Sequence, residues 1–85
     1  MIKEIIIPDS IQKKIRKFPV EIRGKLYWSM DMLINNPSYP SLRHKKISGT
    51  GSYWEFSITM NYRGVYRQEK DKGFLVAVGK HEEVF

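Results

Sequence analysis

Residues 53–78, YWEFSITMNYRGVYRQEKDKGFLVAV, decide the fold, because three segments of strand character follow one another there with only short turns between them. Apolar and polar residues alternate in 53–58 and again in 62–67, which is typical of strands with one buried face. The continuous apolar run 74–78 is typical of a buried strand. The stretch therefore predicts a three-stranded antiparallel meander.

The residues before this stretch predict one strand and two helices. Residues 2–7 are rich in β-branched side chains and are expected to form a short first strand. Asp9 is expected to be the N-cap of the first helix, with Gln12 as the second half of a capping box. Apolar residues at helical spacing predict a second helix, which begins near Pro19 and ends before the stop signal Asn35–Pro37.

Together these elements predict a single α+β domain over residues 1–85. Its expected order is a short N-terminal strand, a helical hairpin and the three-stranded antiparallel meander. The hairpin is expected to cover one face of the sheet and to form the core with it. A chain of this length buries only about 60–65% of its unfolded surface, so marginal stability is expected.

Composition narrows the class of protein. The chain has no cysteine, and its two histidines are too few for a structural zinc site. No segment reaches the roughly 20 apolar residues of a membrane span, and the N-terminal apolar run is too short for a secretion signal. A cytoplasmic protein with no membrane partner is expected. Fifteen Lys+Arg against nine Asp+Glu give a net charge of +6, which favours a polyanionic partner.

The face of the meander opposite the core is expected to be polar. Strand alternation puts Glu55 and Ser57 on this face together with Arg63 and Arg67. A carboxylate and two guanidinium groups on one sheet face form a natural floor for a site that handles phosphates. The alternative for Glu55 and Arg63 is a purely structural ion pair.

A basic segment, Arg43-His44-Lys45-Lys46, precedes the meander. Clustered cations hold phosphates by Coulomb attraction and by charge-assisted hydrogen bonds. The alternative is a solvated run of charge without a binding role. His44 carries no separate signal and is not assigned to the site.

The final segment, Gly79-Lys80-His81-Glu82-Glu83-Val84-Phe85, brings a histidine and an aromatic ring close together in sequence. A histidine can transfer a proton near neutral pH, and an aromatic ring is a surface on which a nucleobase can stack. The alternatives are a surface histidine at position 81 and an apolar plug at the sheet end at position 85.

These residue types match what cleavage of RNA by its own 2′-hydroxyl requires: a base, cations for the phosphorane-like transition state, and an acid for the leaving 5′-oxygen. Glu55, or a lysine of reduced pKa, is a candidate base. Arg63 suits bidentate phosphate contact, and His81 is the candidate acid. No metal is needed if the cations supply the electrostatic stabilisation.

The segments 42–49, 53–58, 62–67 and 78–85, in this order, resemble RelE-type toxins of bacterial and archaeal toxin–antitoxin systems. The order of strand, helical hairpin and meander is also similar to that family. The resemblance implies an mRNA interferase that acts in the ribosomal A site and cuts mRNA through 2′-hydroxyl attack without a metal. It also implies a cognate antitoxin protein as partner, beside the ribosome and mRNA.

The resemblance implies that this chain carries the lysines, the acidic residue, the arginine and the histidine that recur at the site of the family. By matching position these are Lys45, Lys46, Glu55, Arg63 and His81. Phenylalanine cannot exchange a proton, so position 85 is left with stacking. Ser57 stands where the YafQ-like branch has a second histidine, and the resemblance does not decide which of Lys45, Lys46 and Glu55 is the base. The candidate catalytic residues are Lys45, Glu55, Arg63 and His81, and the candidate substrate contacts are Arg43, Lys46, Arg67 and Phe85, with no cofactor.

Two other functions fit the same fold. A ParE-like gyrase inhibitor would act by binding a protein, and its relatives usually lack the basic segment combined with the Gly-x-His ending. A degenerate toxin would keep RNA or antitoxin binding and lose catalysis. Cleavage of ribosome-bound mRNA, set against inhibited supercoiling, separates an interferase from a gyrase inhibitor.

Overall fold

The computed structural model describes residues 2–49 and 51–84, so the predicted stacking residue Phe85 lies outside the described residues. One strand and two helices precede the central strands, as expected for this α+β arrangement. The elements are β1 (Glu4–Ile6), α1 (Asp9–Arg16), α2 (Val20–Asn35), a 3₁₀ helix (Pro40–Leu42), β2 (Lys45–Lys46), β3 (Tyr53–Ser57), β4 (Tyr62–Glu69), β5 (Lys72–Lys80) and α3 (His81–Val84).

The strands form one five-stranded mixed sheet in the order β1-β5-β4-β3-β2. The predicted meander is its centre, with β3, β4 and β5 joined antiparallel. At one edge β1 lies parallel to β5, which the intervening helical hairpin permits because parallel neighbours need a long crossover. At the other edge β2 pairs antiparallel with β3, so part of the basic segment is a strand. The α+β prediction is confirmed.

The start of α1 differs from the prediction. Pro8 is the N-cap and Asp9 is the first helical residue, without a side-chain cap. The backbone carbonyl of Pro8 accepts hydrogen bonds from the amides of Ile11 and Gln12, both at 3.0 Å. The side-chain amide of Gln12 donates instead to the carbonyl of Ile7 at 2.9 Å. The capping box is therefore wrong, while Asp9 still places a negative charge in the first turn, where the helix dipole favours it.

The core lies between α2 and one face of the sheet. It contains buried apolar side chains of α2 with those of the central strands, among them Leu26, Met30, Leu33, Phe56, Tyr66, Leu75 and Val78. Phe56 is fully buried, and its ring lies over Gly64 on the neighbouring strand. A Cβ at position 64 would come within 2.4 Å of the Phe56 ring. The space that the ring needs explains why glycine occupies this strand position.

A β-bulge changes the register of β5. Val65 pairs with Ala77 and Tyr66 pairs with Leu75, so Val76 has no opposite residue and is exposed. The prediction that the whole run 74–78 is buried is therefore wrong at Val76. A bulge puts two residues opposite one and locally increases strand twist. Here it lets Leu75 face the core while Ala77 stays on the same face as Val65.

In the part of the chain that the structure describes, no helix combines the length and the apolar character needed to cross a membrane.

Candidate functional site

A cleft of about 220 Å³ opens on the polar face of the sheet. It lies where the end of β3, the start of β4 and the end of β5 meet. Ser57 of β3 pairs with Arg63 of β4, and Arg63 pairs with Gly79 of β5, so the three positions lie side by side. The lining residues are Arg43, Lys45, Glu55, Phe56, Ser57, Arg63 and His81.

The structure brings five of the predicted site residues together in this cleft. They were selected from four separate segments of the chain, and the strand pairing is what makes them neighbours. They are Arg43, Lys45, Glu55, Arg63 and His81. Four of the five carry a cationic or protonatable nitrogen, which makes the cleft suited to an anionic group.

Glu55 forms an ion pair across the β2–β3 pair. Lys45 is its register partner, and Lys45 Nζ lies 3.2 Å from Glu55 Oε1. The glutamate side chain is only 18% exposed, whereas that of the lysine is 71% exposed. An ion pair with one solvated partner contributes little stability, about 0–1 kcal/mol. Among the described residues, the ion-pair partner of Glu55 is Lys45, and the ion pair with Arg63 considered from the sequence is not formed.

Arg63 is fixed by the turn between β3 and β4. Its Nη1 donates to the backbone carbonyls of Thr59 at 2.6 Å, Met60 at 2.9 Å and Tyr62 at 3.3 Å. A guanidinium has five N–H donors, so those on Nε and Nη2 are not used in these bonds. The side chain therefore already has a defined orientation at the cleft, which lowers the entropy that binding an anion would cost.

His81 is the first residue of α3 and follows β5 directly. Its backbone amide donates to the carbonyl of Asn61 in the β3–β4 turn at 2.9 Å. This bond joins the end of β5 to the turn that also holds Arg63. His81 is exposed to solvent and lines the cleft.

Ser57 is a feature of the cleft that was not assigned to the site from the sequence. Its side chain is 7% exposed, and among the described residues its Oγ has no hydrogen-bond partner. Leaving a buried hydroxyl without a partner costs about 1–3 kcal/mol, and such a group in a cleft indicates a place for a ligand atom. Strand alternation predicted the face on which Ser57 lies, but no sequence signal shows that its hydroxyl lacks a partner.

Two predicted substrate contacts lie outside the cleft. Lys46 pairs with Trp54 in the sheet register, on the opposite face of β2 from Lys45. Arg67 forms an ion pair with Glu69, and its guanidinium lies 4.9 Å from the centre of the Phe74 ring. The hydrogen bond from Arg67 lowers the pKa of the Glu69 carboxyl. Four residues along β4 separate Arg67 from Arg63, a distance of about 13 Å.

His44 belongs to an aromatic cluster away from the cleft. Its Nε2 and the Tyr66 hydroxyl share a hydrogen bond of 2.6 Å, and its ring centre lies 4.7 Å from that of Trp54. Burial lowers the pKa of His44, and a backbone hydrogen bond at Pro37 partly opposes that shift. Burial also raises the pKa of the Tyr66 hydroxyl. The neutral forms of both side chains are therefore favoured.

Comparison with known proteins places this architecture in a recognised fold. No protein-family model and no curated protein sequence matches the chain. Solved structures do match. The archaeal RelE–RelB complex from Pyrococcus horikoshii matches with a TM-score of 0.74 at 16% identity, covering 94% of this chain and 96% of that chain. A mutant of the Escherichia coli toxin RelE in the free state matches with a TM-score of 0.74 at 23% identity, covering 98% and 87%.

YafQ from E. coli matches with a TM-score of 0.72 at 16% identity, covering 95% of this chain and 96% of that chain. The chain therefore has the fold of small bacterial and archaeal toxins. More narrowly, it has the RelE-like fold, which confirms the resemblance at the level of architecture. At these identities the likeness concerns the fold, and the chemistry has to be argued from the cleft.

Proposed function

We propose that this chain is the toxin of a toxin–antitoxin pair and acts as an endoribonuclease on mRNA in the translating ribosome. The observation that carries the proposal is the cleft on the polar sheet face. There a carboxylate, a lysine, a pre-oriented arginine and a histidine surround a space of about 220 Å³. This set includes a base, a phosphate clamp and an acid, which are the groups that 2′-hydroxyl attack on the adjacent phosphate requires.

Glu55 is proposed as the general base. In the ion pair with Lys45 at 3.2 Å, the carboxylate has lone pairs that accept the proton of the 2′-hydroxyl. The ammonium of Lys45 has no lone pair, so it acts as a cation beside the reacting phosphate. The carboxylate is also the more buried partner of this ion pair, which shields it from solvent more than the ammonium.

Arg63 and His81 are proposed to act on the phosphate and on the leaving group. The N–H donors of Arg63 that face away from the turn carbonyls bind the non-bridging phosphate oxygens as negative charge develops on them. His81 gives a proton to the leaving 5′-oxygen as the P–O5′ bond breaks. The 2′-oxygen then remains bonded to phosphorus as a cyclic phosphate, and the second fragment leaves with a 5′-hydroxyl.

The net charge of +6 favours binding to a polyanionic particle such as the ribosome, and the proposed setting is the cytoplasm. The proposed protein partner is a cognate antitoxin. The archaeal RelE of the structural comparison was solved as a complex with RelB, and a similar complex is proposed for this chain.

Primer-extension mapping of a translated mRNA after induction of the chain tests the proposal. We expect new 5′ ends within the translated frame, and their loss in His81→Ala while the exposed neighbour variant Glu82→Ala retains them. The same samples are assayed for DNA supercoiling. Inhibited supercoiling with intact mRNA would instead indicate a gyrase inhibitor, and neither effect would indicate a toxin fold that has lost its catalysis.

A further inference from the structure

A second depression, of about 210 Å³, adjoins the cleft. Arg43 and Ser57 line both spaces, so the two spaces adjoin at these residues. Trp28 of α2 and Met60 of the β3–β4 turn also line the depression, and neither of them lines the cleft. The role proposed for the cleft makes no use of this space.

Trp28 is an aromatic surface held in place yet open to solvent. Its indole is 47% exposed, and Tyr39 contacts it edge-on with ring centres 5.6 Å apart and planes at 81°. A large aromatic side chain that is fixed by a neighbour and half exposed is a stacking platform with little rotamer entropy left to lose.

The turn that forms one side of the depression is the same turn that positions Arg63. The carbonyls of Thr59 and Met60 accept the hydrogen bonds from Arg63 Nη1, and the same two residues line the depression. A ligand that reaches from the cleft into the depression therefore contacts one continuous structural unit.

The two shared residues are both unusual. Arg43 has a left-handed backbone conformation with φ 47° and ψ 40°, which a residue other than glycine rarely adopts. Strained backbone is concentrated at binding sites, where the surrounding structure maintains it. Ser57 contributes the buried Oγ that has no hydrogen-bond partner among the described residues. Both features lie at the point where a bound strand would pass from one space to the other.

We propose that this depression is a nucleobase subsite. The base of a nucleotide next to the phosphate in the cleft stacks on Trp28, and the Ser57 hydroxyl and the Arg43 guanidinium hold the sugar–phosphate link between the two spaces. The inference rests on the proposed function, since it takes the ligand of the cleft to be RNA. A volume of about 210 Å³ is below the roughly 300–1,000 Å³ of drug-sized pockets, so it suits a single base.

Binding of single-stranded RNA of about ten nucleotides tests the subsite. The RNA carries 2′-O-methyl groups, which block cleavage, and each position in turn is made abasic. We expect one abasic position to weaken binding to the wild-type protein by about 5- to 150-fold, the range for loss of one base–aromatic stack. Because this arm uses the unmodified protein, it does not depend on the folding of a variant.

Protein variants complete a double-mutant cycle. Trp28→Ala is expected to weaken binding of the intact RNA by a similar factor and to remove the effect of the abasic position. Trp28→Phe should restore most of the affinity. Tyr27→Ala is the matched control, because Tyr27 is the neighbouring aromatic residue of α2 and is 52% exposed without lining the depression. Its affinity should equal that of the wild type.

Additive effects of the abasic position and Trp28→Ala, or equal losses in Trp28→Ala and Tyr27→Ala, would overturn the subsite. If Trp28→Ala is no longer neutralised by the proposed antitoxin while its RNA affinity is unchanged, the subsite would also be overturned and a protein occupant indicated. Arg63→Ala separates the two proposals. If it weakens RNA binding while the Trp28 and abasic arms do not, the subsite alone fails; if none of these arms changes affinity, the RNA-binding function fails as well.

Discussion

The two histidines of the chain occupy regions with opposite character. His81 is exposed at the rim of a cleft lined by charged groups, and its backbone is held by the β3–β4 turn. His44 lies half-buried between Trp54 and Tyr66, with a hydrogen bond to the tyrosine hydroxyl. The same side chain therefore serves proposed proton transfer in one region and internal packing in the other, and its surroundings decide which.

The basic segment shows a similar contrast between two neighbouring residues of one strand. Lys45 points to the cleft and pairs with Glu55, while Lys46 follows it on the opposite face beside Trp54. The side chains of adjacent residues in a strand point to opposite faces of the sheet. Of this run of positive charge, Arg43 and Lys45 line the cleft and Lys46 does not.

The largest effect is expected from removing the imidazole of His81. His81→Ala should lower the rate of mRNA cleavage by about 10²- to 10⁴-fold, because it removes the acid for the leaving group. Growth arrest on expression should be relieved. The free energy of unfolding, measured by urea titration, should stay close to that of the wild type because His81 is exposed. Full toxicity in both His81→Ala and Arg63→Ala would contradict the catalytic assignment of the cleft.

His44→Ala should show the reverse pattern. Removing the imidazole leaves the Tyr66 hydroxyl, on a fully buried ring, without its partner, and this costs about 1–3 kcal/mol. The free energy of unfolding, measured by urea titration, should fall by that amount while the folded fraction keeps its cleavage rate. A His44→Ala variant with normal stability and no cleavage would instead indicate that His44 has a role in function.

A smaller effect is expected in the pH dependence of the free energy of unfolding, which should come from His44. Burial lowers the pKa of His44 in the folded state, so between that value and the unfolded value of about 6.5 the unfolded chain binds more protons. Stability should therefore fall as pH drops below about 6.5 and level off below the folded pKa. Comparing urea unfolding of the wild type and His44→Gln across this range isolates the contribution; parallel curves would show that His44 does not carry it.

The smallest effect is expected from the two lysines of β2. Lys45→Ala should reduce the slope of log affinity against log salt for single-stranded RNA by about 0.7, the value for one lost phosphate contact. Lys46→Ala is the matched control on the opposite face and should leave the slope nearly unchanged. Equal changes in both variants would mean that the RNA covers both faces of this edge strand.

Much of the fold could be predicted because it follows from short-range periodicity. Alternation in β3 and β4 was sufficient to place Glu55, Ser57 and Arg63 on one face, since neighbouring strands keep their alternation in register. Features that depend on contacts between distant segments could not be predicted. The two residues of β2 are too few to show a period, and the bulge at Val76 is a property of pairing with β4.

The candidate site shows the same limit. Sequence reasoning selected Lys45 and Glu55 separately, but their ion pair exists only because β2 joins the sheet. Arg67 was predicted as a substrate contact because it shares a face with Arg63, yet it lies four positions further along β4, where its guanidinium pairs with Glu69. Which face a residue lies on follows from the period, whereas its position along the strand relative to the cleft depends on tertiary structure.

The central position of β5 affects when the cleft can form during synthesis. β5 lies between β1 and β4, although it is made after the other four strands of the sheet. Until it has left the ribosome, β1 has no neighbour in the sheet and the turn that holds Arg63 lacks its bond to His81. A nascent chain therefore cannot assemble the proposed catalytic groups. The proposed catalytic groups come together only after residues 72–81 have left the ribosome and joined the sheet.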